Sequence, residues 1–148
     1  MSYQEQRSLV NLVSTFLVTG LYAAYMLPRQ PQGDPYSPEI FHFWGTFFLI
    51  LIPVTIGAKV LILIVFHLIN AIATQEAEPP ITDERDKLIE LRATRGRFLV
   101  FTLGFLIAMI SQIGDMPPAT MFTILVVSAV VAETVSDVTH IVFYRRGF

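Results

Sequence analysis

Cysteine is absent from all 148 residues, which rules out disulfides, thiolate metal sites and cysteine nucleophiles. Charge is scarce as well: 15% of the residues are Asp, Glu, Lys or Arg, against roughly a quarter in a soluble domain. The formal charge of −2 provides no basic excess to neutralise phosphates, so nucleic acid is not expected as a partner. There is no glycine loop to cradle phosphate, no Gly-x-Ser-x-Gly elbow and no His-Glu-x-x-His pair. Ser111, Ser128 and Ser136 lack a context that marks a nucleophile, and no internal repeat is visible.

What the chain has instead is apolar length. Hydrophobic residues make up 53% of it and the mean hydropathy is +0.59. A helix needs about 20 apolar residues to cross the hydrocarbon core. Four segments qualify, at about 9–27, 43–73, 98–113 and 121–143, with a polar loop over 74–97. Each can satisfy its backbone hydrogen bonds internally, as lipid demands. The expected fold is therefore all-α: an integral membrane four-helix bundle built from two helical hairpins, forming a single transmembrane domain over 1–148. The first segment carries only Arg7 ahead of it, set against Glu5, so a retained span is expected rather than a cleaved signal.

Pro28, Pro31, Pro35 and Pro38, with Gly33, make a stiff first loop that cannot continue a helix. Pro117 and Pro118 close the third span, and Asp115 after Gly114 reads as a helix terminus. Phe41, Phe43, Trp44 and Phe47 crowd the start of the second span, as do Phe143 and Tyr144 the end of the fourth; such rings favour the headgroup boundary. Placing the N-terminus inside puts Arg7, Arg85, Lys87, Arg92, Arg95, Arg97, Arg145 and Arg146 on the inner side and only Arg29 outside. The positive-inside rule then sets both termini and the long loop in the cytoplasm, and the expected location is the inner (cytoplasmic) membrane.

Small residues let helix backbones approach in lipid. Gly104 and Ala108 on the third span, and Ser128 and Ala132 on the fourth, stand four apart as contact faces. Asn11, Ser14, Thr15, Val18, Tyr22 and Tyr25 form one stripe of the first span, which should face the bundle. Pro53 and Gly57 should bend the second span.

The chemistry concentrates on the fourth span. Glu133, Asp137 and His140 stand at i, i+4 and i+7 on one face, which Tyr144 extends. A carboxylate near the middle of a membrane helix costs roughly 2.5–3.5 kcal/mol, so a partner is required. On the second span Lys59, His67 and Asn70 share the inner half, and Lys59 lies at the depth of Glu133. A Lys59–Glu133 pair is the expected contact, with Asn11 entering the bilayer at the level of the remaining groups. Three readings stay open. The cluster of Lys59, His67, Asn70, Glu133, Asp137 and His140 is a hydrogen-bonded core that sets helix register, a proton or ion site, or a metal site. For metal, Glu133, Asp137, His140 and His67 are the candidate ligands, although Lys59 competes for the carboxylates. No residue pattern names a cofactor.

Glu76, Glu78, Pro79 and Pro80 read as linker. Thr82 is placed to cap a helix whose first turn holds Asp83 and Glu84, with Lys87 four residues after Asp83. That helix should run through Gly96 into the third span. Asp83, Glu84, Arg85, Asp86, Arg92 and Arg95 then form an interfacial or docking surface, with Arg92, Arg95 and Arg97 at headgroup level. The run Asp83-Glu84-Arg85-Asp86, with Ile89, Glu90, Arg92 and Arg95, resembles a loop motif of small prokaryotic four-helix membrane proteins of unknown function, and Ser2-Tyr3-Gln4-Glu5 is similar to their openings. The resemblance implies paired helical hairpins and no particular chemistry.

The missing catalytic motifs argue against an enzyme. They favour a non-enzymatic membrane protein that serves as an accessory subunit or interaction partner of a larger complex. The alternatives are a small proton- or ion-coupled carrier using the buried cluster, and a membrane metalloenzyme. Expected partners are the lipid bilayer, other membrane proteins, or a second copy in a homo-oligomer.

Overall fold

A computed structural model describes residues 3–74 and 84–146. It contains α1 (Tyr3–Met26), a short 3-10 turn (Leu27–Arg29), α2 (Pro38–Thr74), α3 (Glu84–Ile113) and α4 (Pro118–Arg146). All four α-helices are long and apolar enough to cross a membrane, over Glu5–Arg29, Pro38–Ile69, Glu84–Ile113 and Pro118–Arg145. These are the features of a multi-pass membrane protein.

Helix ends follow local chemistry. Pro38 opens α2 and Pro118 opens α4, where proline's fixed φ and missing N–H are harmless. The amide of Met116 bonds to the Ser111 carbonyl and that of Asp115 to Gln112, at 3.1 and 3.3 Å. This is a Schellman closure of α3. Its left-handed residue is Asp115, at φ 55°, rather than the adjacent Gly114. The expected continuity of loop and third span is present, since α3 runs unbroken from Glu84 through Gly96. Thr82 and Asp83, expected at its cap, lie outside the described residues. α2 likewise continues through Pro53.

The packing is not evenly shared. α3 lies along α4, α4 along α1, and α1 along α2, while among the described residues the α2 backbone approaches α4 only lightly and does not come close to α3. Tyr36 with Asp115, Asn11 with Asp137 and Tyr144 with Asp86 bring neighbouring helix ends together, so successive helices run antiparallel. Both described ends of the chain therefore stand at one end of the structure, called here the terminal end. The opposite end holds the connection between α1 and α2 and that between α3 and α4.

Small residues build the α3–α4 seam. Gly104, Ala108 and Ser111 are buried on α3, as are Ser128, Ala132 and Ser136 on α4. A Cβ at Gly104 would overlap the Ser128 side chain. The seam is thus as close as the missing side chain allows.

The largest buried side chains sit near the opposite end, and here the structure differs from expectation. Trp44 and Phe47 do not form a boundary ring. They are 1% exposed, and with Ile40 they form a core against Tyr22, Phe48 and Phe122. Trp44 stacks on Phe122 with centroids 5.5 Å apart, and Tyr22 donates to the Phe47 carbonyl at 3.0 Å. Phe41, one side of the helix away, remains exposed. The helical period explains the split: Ile40, Trp44 and Phe47 share the face turned to α1 and α4. In the polar stripe of α1, Ser14 and Thr15 are buried, whereas Tyr25 is exposed beneath the Arg29 guanidinium.

Gly104→Val should lower the unfolding free energy in detergent by about 1–3 kcal/mol through overpacking of the seam. Gly57→Ala, where nothing lies within 4 Å, should leave it nearly unchanged. Trp44, the single tryptophan, supplies the fluorescence to follow.

Candidate functional site

Three helices converge on one carboxylate. Lys59 of α2 places Nζ 3.1 Å from Glu133 Oε2, and Arg97 of α3 places Nη1 3.3 Å from Glu133 Oε1. Both oxygens of Glu133 are therefore occupied, each by a cation from a different helix. Lys59 and Glu133 side chains retain 29% exposure, so the protein encloses the pair only in part. The Lys59–Glu133 contact is the one that helix counting anticipates. Arg97, expected at headgroup level, also reaches Glu133 and completes the node. Its position immediately before the apolar run that begins at Phe98 gave no sign of direction, because an arginine there can reach either way.

One helical turn toward the terminal end, a second polar level follows. Asn11 Nδ2 donates to Asp137 Oδ1 at 2.7 Å. Asp137 is only 4% exposed, and its Oδ2 is buried with no hydrogen-bond partner among the described residues. Further along α4 the His140 ring lies 6.4 Å from that of Tyr144, whose hydroxyl donates to Asp86 Oδ1 at 3.0 Å. Arg85 reaches the Phe143 carbonyl at 3.5 Å, and the Arg92 guanidinium lies 5.2 Å from the Phe143 ring centroid. Part of the expected docking surface is thus spent on fastening the first turns of α3 to the end of α4. Glu84, Arg92 and Arg95 are exposed.

Two cavities flank the node. The larger, about 520 Å³, is a mostly apolar cleft between α2 and α3, with α1 and α4 as its floor. Phe48, Leu51, Phe101, Phe105 and Leu125 line it, and Lys59 and Glu133 close its terminal-end limit. The smaller, about 180 Å³, is polar and is lined by Arg7, Ser8, Asn11, Leu63, Glu90, Asp137, His140 and Tyr144. Lys59 to Leu63, Thr15 to Asn11 and Glu133 to Asp137 are each one turn, so the charged node stands where the two meet.

The expected cluster is gathered in part. Lys59, Glu133, Asp137 and His140 line one cavity or the other. His67 is exposed on α2, 6.3 Å from the Phe66 ring centroid, and lines neither. The Asn70 side chain lies outside the described residues, as does Asp83. For the metal reading, no three His, Asp or Glu side chains among the described residues are grouped to hold an ion. Arg7 and Glu90 join the site unannounced; each sits in a charged stretch at a helix end that by sequence reads as surface.

Comparison with protein-family models, curated proteins and solved structures returns no match.

Glu133→Gln should cost roughly 1–3 kcal/mol, below the range for a fully buried pair because the protein encloses the partners only in part. Lys59→Met should cost less in the Glu133→Gln background than alone. Unfolding of the four forms in detergent measures this coupling.

Proposed function

We propose that this chain is a small proton-coupled carrier of the prokaryotic inner membrane, non-enzymatic, with both termini in the cytoplasm. The observation that carries the reading is the charged node between two cavities, next to a carboxylate oxygen that nothing in the described protein satisfies. Ionisable side chains are costly in a membrane helix and mark pathways for protons and solutes. A purely structural ion pair has no need of open space on either side or of an unsatisfied neighbour.

In this reading Asp137 Oδ2 is the atom at which a proton or a donor from the solute is accepted. The groups around it come from every helix: Asn11 and Arg7 of α1, Lys59 of α2, Arg97 and Glu90 of α3, and Glu133, His140 and Tyr144 of α4. Binding at this level would redistribute Lys59 and Arg97 between Glu133 and the solute. Because these cations tie α2 and α3 to α4, the same event would alter the width of the cleft.

A second reading, a component of a larger membrane assembly or homo-oligomer, is favoured by α2. No residue in its most apolar stretch is buried within the chain, and its Leu49 and Ile56 are exposed.

The orientation is tested with single cysteines, which this chain accepts without background. Gln32→Cys should react with an impermeant maleimide in intact cells, and Lys87→Cys only after permeabilisation. The reverse pattern overturns the cytoplasmic assignment. Coupling is tested in proteoliposomes loaded with pyranine under an imposed pH gradient. The wild-type chain should acidify the lumen faster than protein-free vesicles, and Asp137→Asn and Glu133→Gln should fall to the protein-free rate. A wild-type chain that moves no protons but co-purifies stoichiometrically with a larger membrane protein would support the second reading instead.

A further inference from the structure

The two cavities differ in character in a way that specifies an occupant. The cleft has the volume of a small-molecule site, which runs from about 300 to 1,000 Å³. It is walled by Phe48, Leu51, Phe101, Phe105 and Leu125, and its length from Phe48 to Lys59 on α2 is roughly 16 Å at 1.5 Å per residue. That is a slot for a hydrocarbon chain. At its terminal-end limit, Lys59 uses one ammonium hydrogen on Glu133, and Glu133 is shared with Arg97. A single carboxylate between two cations leaves positive charge at the mouth of an apolar slot, and an anionic group is what that mouth accepts.

One turn further, the sign reverses. Asp137 presents a buried, unpartnered oxygen, and Glu90 lines the same polar pocket. Across the whole site, Arg7, Lys59 and Arg97 stand against Glu90, Asp137 and Glu133, so a ligand of zero net charge with separated charges fits without leaving an ion uncompensated. The step between the two levels is about 5.4 Å, one helical turn. A two-carbon bridge between a phosphate and a primary ammonium spans a comparable distance.

We propose that the cleft and the polar pocket together hold one zwitterionic aminophospholipid of the surrounding bilayer, with one of its two acyl chains in the cleft, its phosphate at Lys59, and its primary ammonium at Asp137 and Glu90. This rests on the carrier reading of the site and names its substrate class. The headgroup chemistry discriminates among lipids. A choline head carries the charge but has no N–H to donate to Asp137 Oδ2. A glycerol head can donate but brings no cation, so its phosphate adds an uncompensated negative charge to a site whose three cations and three acids already balance. A helix from a second copy filling the cleft would supply neither group. The orientation also suits a lipid: head toward the terminal end, where Arg7 and Tyr144 border the pocket, and tail toward mid-membrane.

The full-length protein is reconstituted in nanodiscs containing equal amounts of phosphatidylethanolamine, phosphatidylcholine and phosphatidylglycerol with identical acyl chains, then released into the gas phase for native mass spectrometry. One phosphatidylethanolamine should remain per chain, favoured about tenfold over either competitor, the scale of one charge-assisted hydrogen bond. Asp137→Asn should abolish the preference over phosphatidylcholine while lipid is still retained. Thr55→Phe, which fills the cleft without removing a charged group, should remove retention of all three, with Trp44 emission reporting that the fold persists. Equal retention of the three lipids, preference for phosphatidylglycerol, or a lipid-free dimer would each overturn the proposal. Proton uptake in phosphatidylcholine vesicles separates the two readings. Uptake without lipid preference removes the lipid and keeps the carrier, whereas lipid preference without uptake keeps the site and removes the coupling.

Discussion

A carboxylate on so apolar a helix needs counter-charge or hydrogen bonds, because a hydrocarbon interior supplies neither. Glu133 meets that demand twice, with Lys59 from α2 and Arg97 from α3. The consequence is architectural as much as electrostatic. Among the described residues the α2 and α3 backbones do not approach each other closely, so the node on α4 is a tie between two helices whose backbones stand apart. The spacing it enforces is the apolar cleft. A conventional small-residue seam between α2 and α3 would have closed that space, and a lone ion pair would have tied only one of them.

Elsewhere the helices are held by means that need no charge. The α3–α4 seam depends on residues without bulk, Gly104 and Ala108 facing Ser128 and Ala132, so that dispersion acts between closely approached backbones. At the end away from the termini, Trp44 and Phe47 fill the space between α2, α1 and α4 with stacked rings. The node adds a charged link from α2 to the α3–α4 pair, beside the cleft.

Polarity is ordered along the site. From the cleft inward the lining passes from aromatic and aliphatic side chains to the cationic level, then to Asp137 with its open oxygen, and finally to Arg7, Glu90 and Tyr144. Such a gradient matches an amphiphile more closely than a simple ion, for which the large apolar slot would be superfluous.

The four spans, the small-residue faces and the depth at which Lys59 meets Glu133 could all be read from the sequence, because they follow from helix length, helix period and the cost of charge in lipid. The same rules placed Asp137 and His140 on the face of Glu133. They could not place Arg97, whose long side chain reaches headgroups or the interior with equal ease, or show that Trp44 and Phe47 form a core instead of a boundary ring. Nor could they reveal that His67, although it shares the inner half of α2 with Lys59, remains exposed. Periodicity states which residues share a helix face; only the packing of α1, α4 and their neighbours decides what that face meets. The cleft itself is the clearest case, since empty space between α2 and α3 is a property of how four helices are arranged and of none of them singly.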